Sequence, residues 1–286
     1  MRDQRCKEFD MKFQITTLME NGSPKDCLAS EHGLSLWIEG ENFHLLYDTG
    51  ASPRFLKNAQ ALNVQLQPID ALVLSHGHYD HTGGVTAVLT GPNRPGAIYL
   101  GKDFFGPRYS QKKDGPMEIG AAFTSYALEQ SGIPSFEVGE KPLQLAPGLW
   151  LLSGFTATEE LEGPIPTLLR DTNEGREPDR FQDEVAVVLE GDRELALVSG
   201  CSHVGILSMC RRVREIFGRP VTTFLGGTHL MAAGEERIRR TCACLKEWGV
   251  ERLGACHCNG ERAGAYFEAN FPGFFQNHVG SCVTVE

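Results

Sequence analysis

Residues 75–84 read Ser-His-Gly-His-Tyr-Asp-His-Thr-Gly-Gly, which puts three of the chain's nine histidines and an aspartate within six positions. His76, His78, Asp80 and His81 all carry groups that ligate a divalent ion, because imidazole and carboxylate suit zinc and its neighbours. Four such ligands are more than one catalytic ion takes while keeping an open position. The pattern therefore predicts two adjacent ions, one on His76 and His78 and the other on Asp80 and His81. Ala71-Leu72-Val73-Leu74 precedes the cluster and reads as a short buried strand, and Thr82-Gly83-Gly84 opens a helix. Side chains just past a buried strand sit where open α/β sheets place their sites.

At 286 residues the chain can bury a sizeable core, and no composition break marks a linker, so the expectation is one domain over 1–286. Thirty-seven acidic against 27 basic residues give a net charge of −10, which argues against a nucleic-acid partner held through phosphate contacts. A small anionic substrate held by a few local Lys or Arg stays compatible with it. Nine cysteines with no Cys-x-x-Cys pair read as reduced thiols of a cytoplasmic protein rather than a disulfide framework. The start, Met-Arg-Asp-Gln-Arg-Cys-Lys-Glu, is charged and lacks a signal-peptide core. No run approaches the ~18 apolar residues of a membrane span.

Strand-like segments 12–18, 34–39 and 43–47 open the chain, and Pro53 begins a helix to 62 with Ser52 before it as the cap. Further helices are expected at 85–89, 119–130, 206–217, 235–248 and 260–270. Strands are expected at 97–100, 143–153, 184–189, 194–199, 221–225 and 252–256. Two polar stretches, 101–117 and 155–183, lack such patterning and read as lid loops over a cleft. Strand clusters alternating with helices in both halves predict an α/β fold. Its form is a four-layer αββα sandwich, two mixed sheets flanked by helices.

A two-ion site needs more than four ligands, so the rest must come from elsewhere in the chain. His203 lies just past the strand 194–199, His257 just past 252–256, and His229 after 221–225. Their shared strand-end placement mirrors the first cluster. If the backbone stays extended through Cys256-His257-Cys258, the histidine points away from both cysteines, which then serve packing. By the same alternation Cys201 and His203 share a face. His32, His44 and His278 read as structural, with Glu31-His32-Gly33 placed to line a cleft mouth. Asp48 closes an early strand and is expected to accept the ring N–H of a ligand histidine.

Asp48, the His76/His78/Asp80/His81 motif and the strand-end His203 and His257 together resemble the metallo-β-lactamase-fold superfamily over essentially the whole chain. Glu31-His32-Gly33-Leu34-Ser35, Gly200-Cys201-Ser202-His203, Gly227-Thr228-His229-Leu230 and Cys256-His257-Cys258-Asn259-Gly260 resemble a narrower branch. It includes the archaeal dihydropterin synthase of methanopterin biosynthesis, and many of its members are metal-dependent hydrolases. The resemblance implies two divalent ions, zinc first with manganese or iron as alternatives, held by His76, His78, Asp80, His81, His203 and His257. Most superfamily members have a ligand histidine in the region matching 151–160 and a bridging aspartate after the strand matching 195–199. Here the first region has no histidine, and the second ends in Gly200-Cys201-Ser202-His203. His203 supplies the imidazole, and Cys201 either replaces the bridging carboxylate or is structural.

A two-ion site activates water for attack on an ester, phosphoester or amide of a small anionic substrate. Asp80 and His229 are the catalytic candidates, His229 for proton transfer or a hydrogen bond to phosphate. Lys102, Arg108 and Tyr109 are candidates for substrate contact from the first polar stretch, with Phe104 and Phe105 stacking on a flat ring. The alternative reaction joins a pterin diphosphate to a ribofuranosyl-aminobenzene phosphate. A third reading is an iron-binding redox or sensor protein, which the His78 position disfavours because the iron oxygen-reducing relatives usually carry glutamate there.

Overall fold

The computed structural model describes residues 12–158 and 160–286. Residues 1–11, with the charged N-terminus and Cys6 discussed above, and Glu159 lie outside the described residues. In chain order the first elements are β1 (Phe13–Met19), β2 (Ser35–Glu39), β3 (His44–Tyr47), α1 (Arg54–Ala61), β4 (Ala71–Val73), α2 (Tyr79–Thr82), α3 (Val85–Thr90) and β5 (Ala97–Gly101). Next come β6 (Arg108–Lys112), β7 (Gly115–Glu118), α4 (Ser125–Ser131), β8 (Ser135–Val138), β9 (Leu143–Ala146) and β10 (Leu149–Leu152). The remainder is β11 (Leu168–Thr172), β12 (Gly175–Pro178), β13 (Ala186–Glu190), β14 (Leu195–Ser199), α5 (Ile206–Phe217), β15 (Thr223–Gly227), α6 (Glu235–Glu247), β16 (Arg252–Cys256), α7 (Glu261–Asn270) and β17 (Cys282–Val285).

A seven-stranded sheet runs β17-β1-β2-β3-β4-β5-β8 and a six-stranded sheet runs β16-β15-β14-β13-β10-β9. Their inner faces meet in one core: Ile15, Leu36, Leu45 and Val73 from the first sheet pack with Leu151, Val187, Val198 and Leu225 from the second. Outside the first sheet, Leu46, Leu72 and Ile98 bury Phe55 of α1, Val88 of α3 and Leu128 of α4. Outside the second, Val188, Leu197 and Phe224 bury Val213 of α5, Leu245 of α6 and Phe267 of α7. This is the expected αββα layering. Strands β3, β4 and β5 pair in parallel and are apolar on both faces, as a sheet covered by helices on one side and a second sheet on the other requires. Among the described residues no helix is long and apolar enough to cross a membrane.

The two stretches read as lid loops are instead paired. β6–β7 and β11–β12 are hairpins whose two-residue turns end at Gly115 and Gly175, with φ of 122° and 121° that favour glycine. β6 pairs with β11, so the hairpins form a four-stranded antiparallel sheet, β12-β11-β6-β7. Its strands escape apolar patterning because they are polar and largely solvated. The expected helix 119–130 begins only at Ser125, with the Thr124 side chain accepting from Ala127 N at 3.2 Å. The residues before it are held extended: Ile119 N donates to Arg108 O at 2.9 Å.

Arg108 ties this small sheet to the rest. Its fully buried guanidinium donates from Nε to Asp179 Oδ2 at 2.8 Å and from Nη1 to the carbonyls of Gly77 (3.1 Å) and Phe104 (2.9 Å). Nη2 lies 2.8 Å from Asp183 Oδ1, a close ion pair that lacks hydrogen-bond alignment. Asp183 Oδ2 in turn accepts from Gly77 N at 2.7 Å. Arg108→Met would leave two buried carboxylates without their cation, and is expected to cost about 3–5 kcal/mol. Urea unfolding measures it, and adding Asp179→Asn and Asp183→Asn should recover part of the loss.

Candidate metal centre

Every residue of the predicted cluster leaves the carboxyl end of a strand that has a parallel neighbour. Asp48 follows β3, Ser75 and the His76–His81 segment follow β4, Cys201 and His203 follow β14, His229 follows β15 and His257 follows β16. The backbone is bent hard at these points. Asp48, Ser202, His229 and His257 have φ of 58°, 55°, 48° and 54°, a left-handed state that costs a side-chain-bearing residue about 1–2 kcal/mol. Gly77, between two of the histidines, has no room for a side chain: a Cβ would lie 2.1 Å from Arg108 Nη1 and 2.4 Å from Phe104 O.

The side chains converge in two groups. In the first, His76 Nε2 lies 3.0 Å from His78 Nδ1 and 3.2 Å from His203 Nε2. Burial pushes all three imidazoles well below the ordinary histidine range, so they are neutral at pH 7. The Phe181 ring stacks on His203 with centroids 3.8 Å apart. In the second, Asp80 Oδ2 lies 3.2 Å from His257 Nε2 and 3.9 Å from His81 Nε2. Burial by itself would raise the Asp80 carboxyl, but His81, His257 and His32 outweigh it and hold it well below the usual carboxylate range. Cys201 Sγ sits between the groups, 3.3 Å from His81 Nε2. It falls within 4.8 Å of both the His76/His203 pair and the His81/His257 pair.

Which ring nitrogens carry protons follows from the surrounding acceptors. Asp48 accepts from Ser75 N at 2.7 Å, Ser75 Oγ at 2.6 Å and His81 Nδ1 at 2.6 Å. With its own proton given to Asp48, Ser75 Oγ accepts from His76 Nδ1 at 2.9 Å. His257 Nδ1 donates to Asn21 Oδ1 at 2.9 Å. His76, His81 and His257 therefore all turn Nε2 inward. His257 Nε2 is buried there without a hydrogen-bond partner, and so dense a convergence of imidazoles, one carboxylate and one sulfur is what a cation between them would satisfy. The donor set, nitrogen with one carboxylate and one sulfur, fits divalent zinc-like ions.

The groups open into a cleft of about 350 Å³. Tyr79, Met117, Ile119, Ile165, Leu168 and Met231 form apolar walls, with Lys112 and His32 at the polar rim. His229 lines it too, its ring centroid 4.3 Å from that of His203. Burial first, then His257 and Arg237, lower His229 to about 4. The expected substrate contacts need correction. Lys102 is exposed away from the cleft and Arg108 is consumed by its aspartates. Tyr109 lies under the Arg176 guanidinium, 3.6 Å from its ring centroid, while its β6 neighbours Ser110 and Lys112 line the cleft. Phe104 and Phe105 pack on each other and on Phe123.

Three contributors escaped the sequence reading. His32, read as structural with a place at a cleft mouth, does line the cleft, and beyond that reading it places Nε2 3.2 Å from Asp80 Oδ2 and stacks on His257 at 4.8 Å. Glu20 accepts from His257 N at 2.6 Å, and Asn21 Nδ2 donates to His257 O at 3.0 Å. A polar Glu-Asn-Gly directly after β1 was the available signal. A register shift between Thr17 and Met19, where β1 meets β2, bends the strand just before these residues.

The profile of the metallo-beta-lactamase superfamily matches residues 31–203. A 7,8-dihydropterin-6-methyl-4-(beta-D-ribofuranosyl)-aminobenzene-5'-phosphate synthase of Methanocaldococcus jannaschii is 31% identical over 89% of this chain and 90% of its own length. Tm1679, a solved metal-dependent hydrolase of the beta-lactamase superfamily, superposes with a TM-score of 0.82 at 28% identity, covering 96% of this chain and 99% of the other. A diphosphatase of the PhnP family shares the fold at TM-score 0.57 and 14% identity, over 96% and 98% of the two chains. With the profile spanning more than half of its length and a relative matching along nearly all of it, the chain belongs to the metallo-β-lactamase superfamily.

Proposed function

We propose that this protein is a metal-dependent hydrolase of a small ester or phosphoester. One divalent ion would be held by His76 Nε2, His78 Nδ1 and His203 Nε2, and a second by Asp80 Oδ2, His81 Nε2 and His257 Nε2. Cys201 Sγ would be shared between them. The observation that carries this reading is the membership of Cys201 in both ligand groups, at the floor of an open cleft. When bound, such a pair of ions supplies a water poised for attack near neutral pH and stabilises the oxygen that gains charge.

The chain's own residues do the rest. Asp48, Ser75 and Asn21 fix the tautomers and directions of His76, His81 and His257. His229 is neutral at pH 7, so it offers a hydrogen bond to substrate rather than a proton store. Asp80 both ligates and, through His32, faces the cleft mouth. Met117, Ile119, Ile165 and Leu168 keep bulk water off the reacting bond. A second reading, a transferase joining a pterin diphosphate to an aryl amine derivative, is favoured by the name of the archaeal relative. The similarity to Tm1679 favours hydrolysis.

The purified protein is expected to carry close to two divalent ions by elemental analysis. His78→Ala should abolish turnover with little change in far-UV circular dichroism. A panel of phosphodiesters, thioesters, lactones and pterin diphosphates tests the reaction. Turnover of the pterin diphosphate into a coupled product, with none of the esters cleaved, would replace the hydrolase reading by the transferase. Cys201→Ser should weaken retention of both ions against a chelator, and loss of only one would break the shared-ligand assignment.

The metal-free protein should also show a characteristic pH dependence. Burial favours neutral His81, but Asp48 and Asp80 outweigh it and lift the imidazole from 6.5 to about 9. That stabilisation is complete below 6.5 and is lost as pH rises through about 9, so the thermal midpoint should fall across this window. His81→Asn should flatten the slope.

A further inference from the structure

We propose that Arg237 is the anion-binding end of the substrate site. The preferred substrate then has a flat apolar body and carries an oxyanion, carboxylate or phosphate, remote from the reacting bond. This rests on the cleft identified above as the place of reaction. A second cavity, about 480 Å³, shares Ile165, Thr167, His229 and Ala232 with the metal cleft, so the two form one trough that passes His229. Arg237 lines the far half.

The hydrogen bonds of this guanidinium are not taken up within the fold. Its Nε is buried without a hydrogen-bond partner, and among the described residues it makes no ion pair. Two carboxylates line the same cavity, but both are engaged elsewhere. Glu162 accepts from Leu207 N, Ser208 N and Ser208 Oγ at 2.9, 2.8 and 2.7 Å, and Glu160 lies 3.8 Å from Arg240. Arg237 stands close enough to Glu162 and His229 to lower both, yet its guanidinium has no hydrogen-bond partner among the described residues. Such a fork is the group that binds a carboxylate or phosphate in bidentate fashion. Of the other basic side chains, Arg108 is held by Asp179 and Asp183, Arg170 by Asp103 O and Arg176 by Asp171, while Lys112 lines the metal half of the trough and not the far half.

The walls between the two ends define the body of the ligand. Tyr79, Met117 and Met231 are 37%, 45% and 55% exposed, and all three border the metal half of the trough. Large apolar side chains left open at one cleft mark a place where an apolar ligand covers them. Methionine in particular adapts to a flat ring through its polarisable sulfur.

Chromogenic p-nitrophenyl esters of phenylphosphonic acid test the assignment. The phenyl ring is extended by a spacer of none to three methylenes that ends in carboxamide, carboxylate or phosphate. With the metal-loaded protein, at least one charged ester should exceed its carboxamide twin in kcat/KM by tenfold or more, through KM. The carboxylate and phosphate arms report which oxyanion is preferred. Arg237→Gln should bring the charged-to-neutral ratio close to one, and Arg237→Lys should keep part of it. A ratio that survives Arg237→Gln, or equal use of charged and neutral esters by the wild type, overturns the proposal. If no ester is cleaved, the hydrolase reading fails on its own, and calorimetry with the uncleaved esters decides this one. A binding preference for charge that Arg237→Gln removes supports it, and equal affinities overturn it.

Discussion

The Asp48 carboxylate is the interaction on which the centre depends. It is fully buried, a placement that costs several kcal/mol unless its lone pairs are satisfied. Three donors satisfy them, two from Ser75 and one from His81. Through these contacts it locks the end of β3 to the end of β4 and sets the direction of His81. By turning Ser75 Oγ into an acceptor, it sets His76 as well. One carboxylate thus orients a histidine in each of the two groups. Its packing leaves no slack: a Cβ on Gly200 would meet Ser75 Oγ at 2.2 Å and Asp48 Oδ2 at 3.3 Å.

The same device recurs around the centre, with the carboxylates gripping backbone rather than rings. Glu184 accepts from the N–H groups of His203 and Val204 at 2.6 and 3.0 Å, Glu20 from His257, and Asp183 from Gly77. Burial lifts Glu184 to about 8 and raises Glu20 and Asp183 as well. The polypeptide therefore wraps its histidines in a collar of acidic groups, with Arg108 the main internal counter-charge. Such outer partners fix ligand geometry and tune the electrostatics of any cation inside. The collar also pins two of the four residues at the centre that hold left-handed backbone. Hydrogen bonds to His257 N and to the residues beside Ser202 pin the strained peptides from outside.

Much of this could be read in the chain. Contiguous histidines after an apolar run, and single histidines after later strands, are patterns that local physics produces. So is the layering, since long buried strands alternate with amphipathic helices. What escaped was whatever depends on pairing between distant segments. Nothing near Arg108 announces that Asp179 and Asp183 will neutralise it, so it read as a free cation. The hairpins at 108–118 and 168–178 stabilise each other through β6 and β11, and neither has an apolar face to betray a strand. Tyr109 was one residue off: strand alternation gives the cleft to Ser110 and Lys112. His32 looked isolated because its partners, Asp80 and His257, lie far along the chain.

The candidate ligand side chains come from opposite sheets, His76 to His81 from one and Cys201, His203 and His257 from the other. The inter-sheet core must be complete before they meet. A nascent chain emerging from the ribosome has no centre until β16 has been made and has docked beside β15. Capture of an ion there would be a late event of biosynthesis that proofreads the finished fold: a chain with misdocked sheets cannot assemble the cluster. His257, beyond the stretch that matches the superfamily profile, completes the candidate cluster, and the docking of β16 would gate its filling.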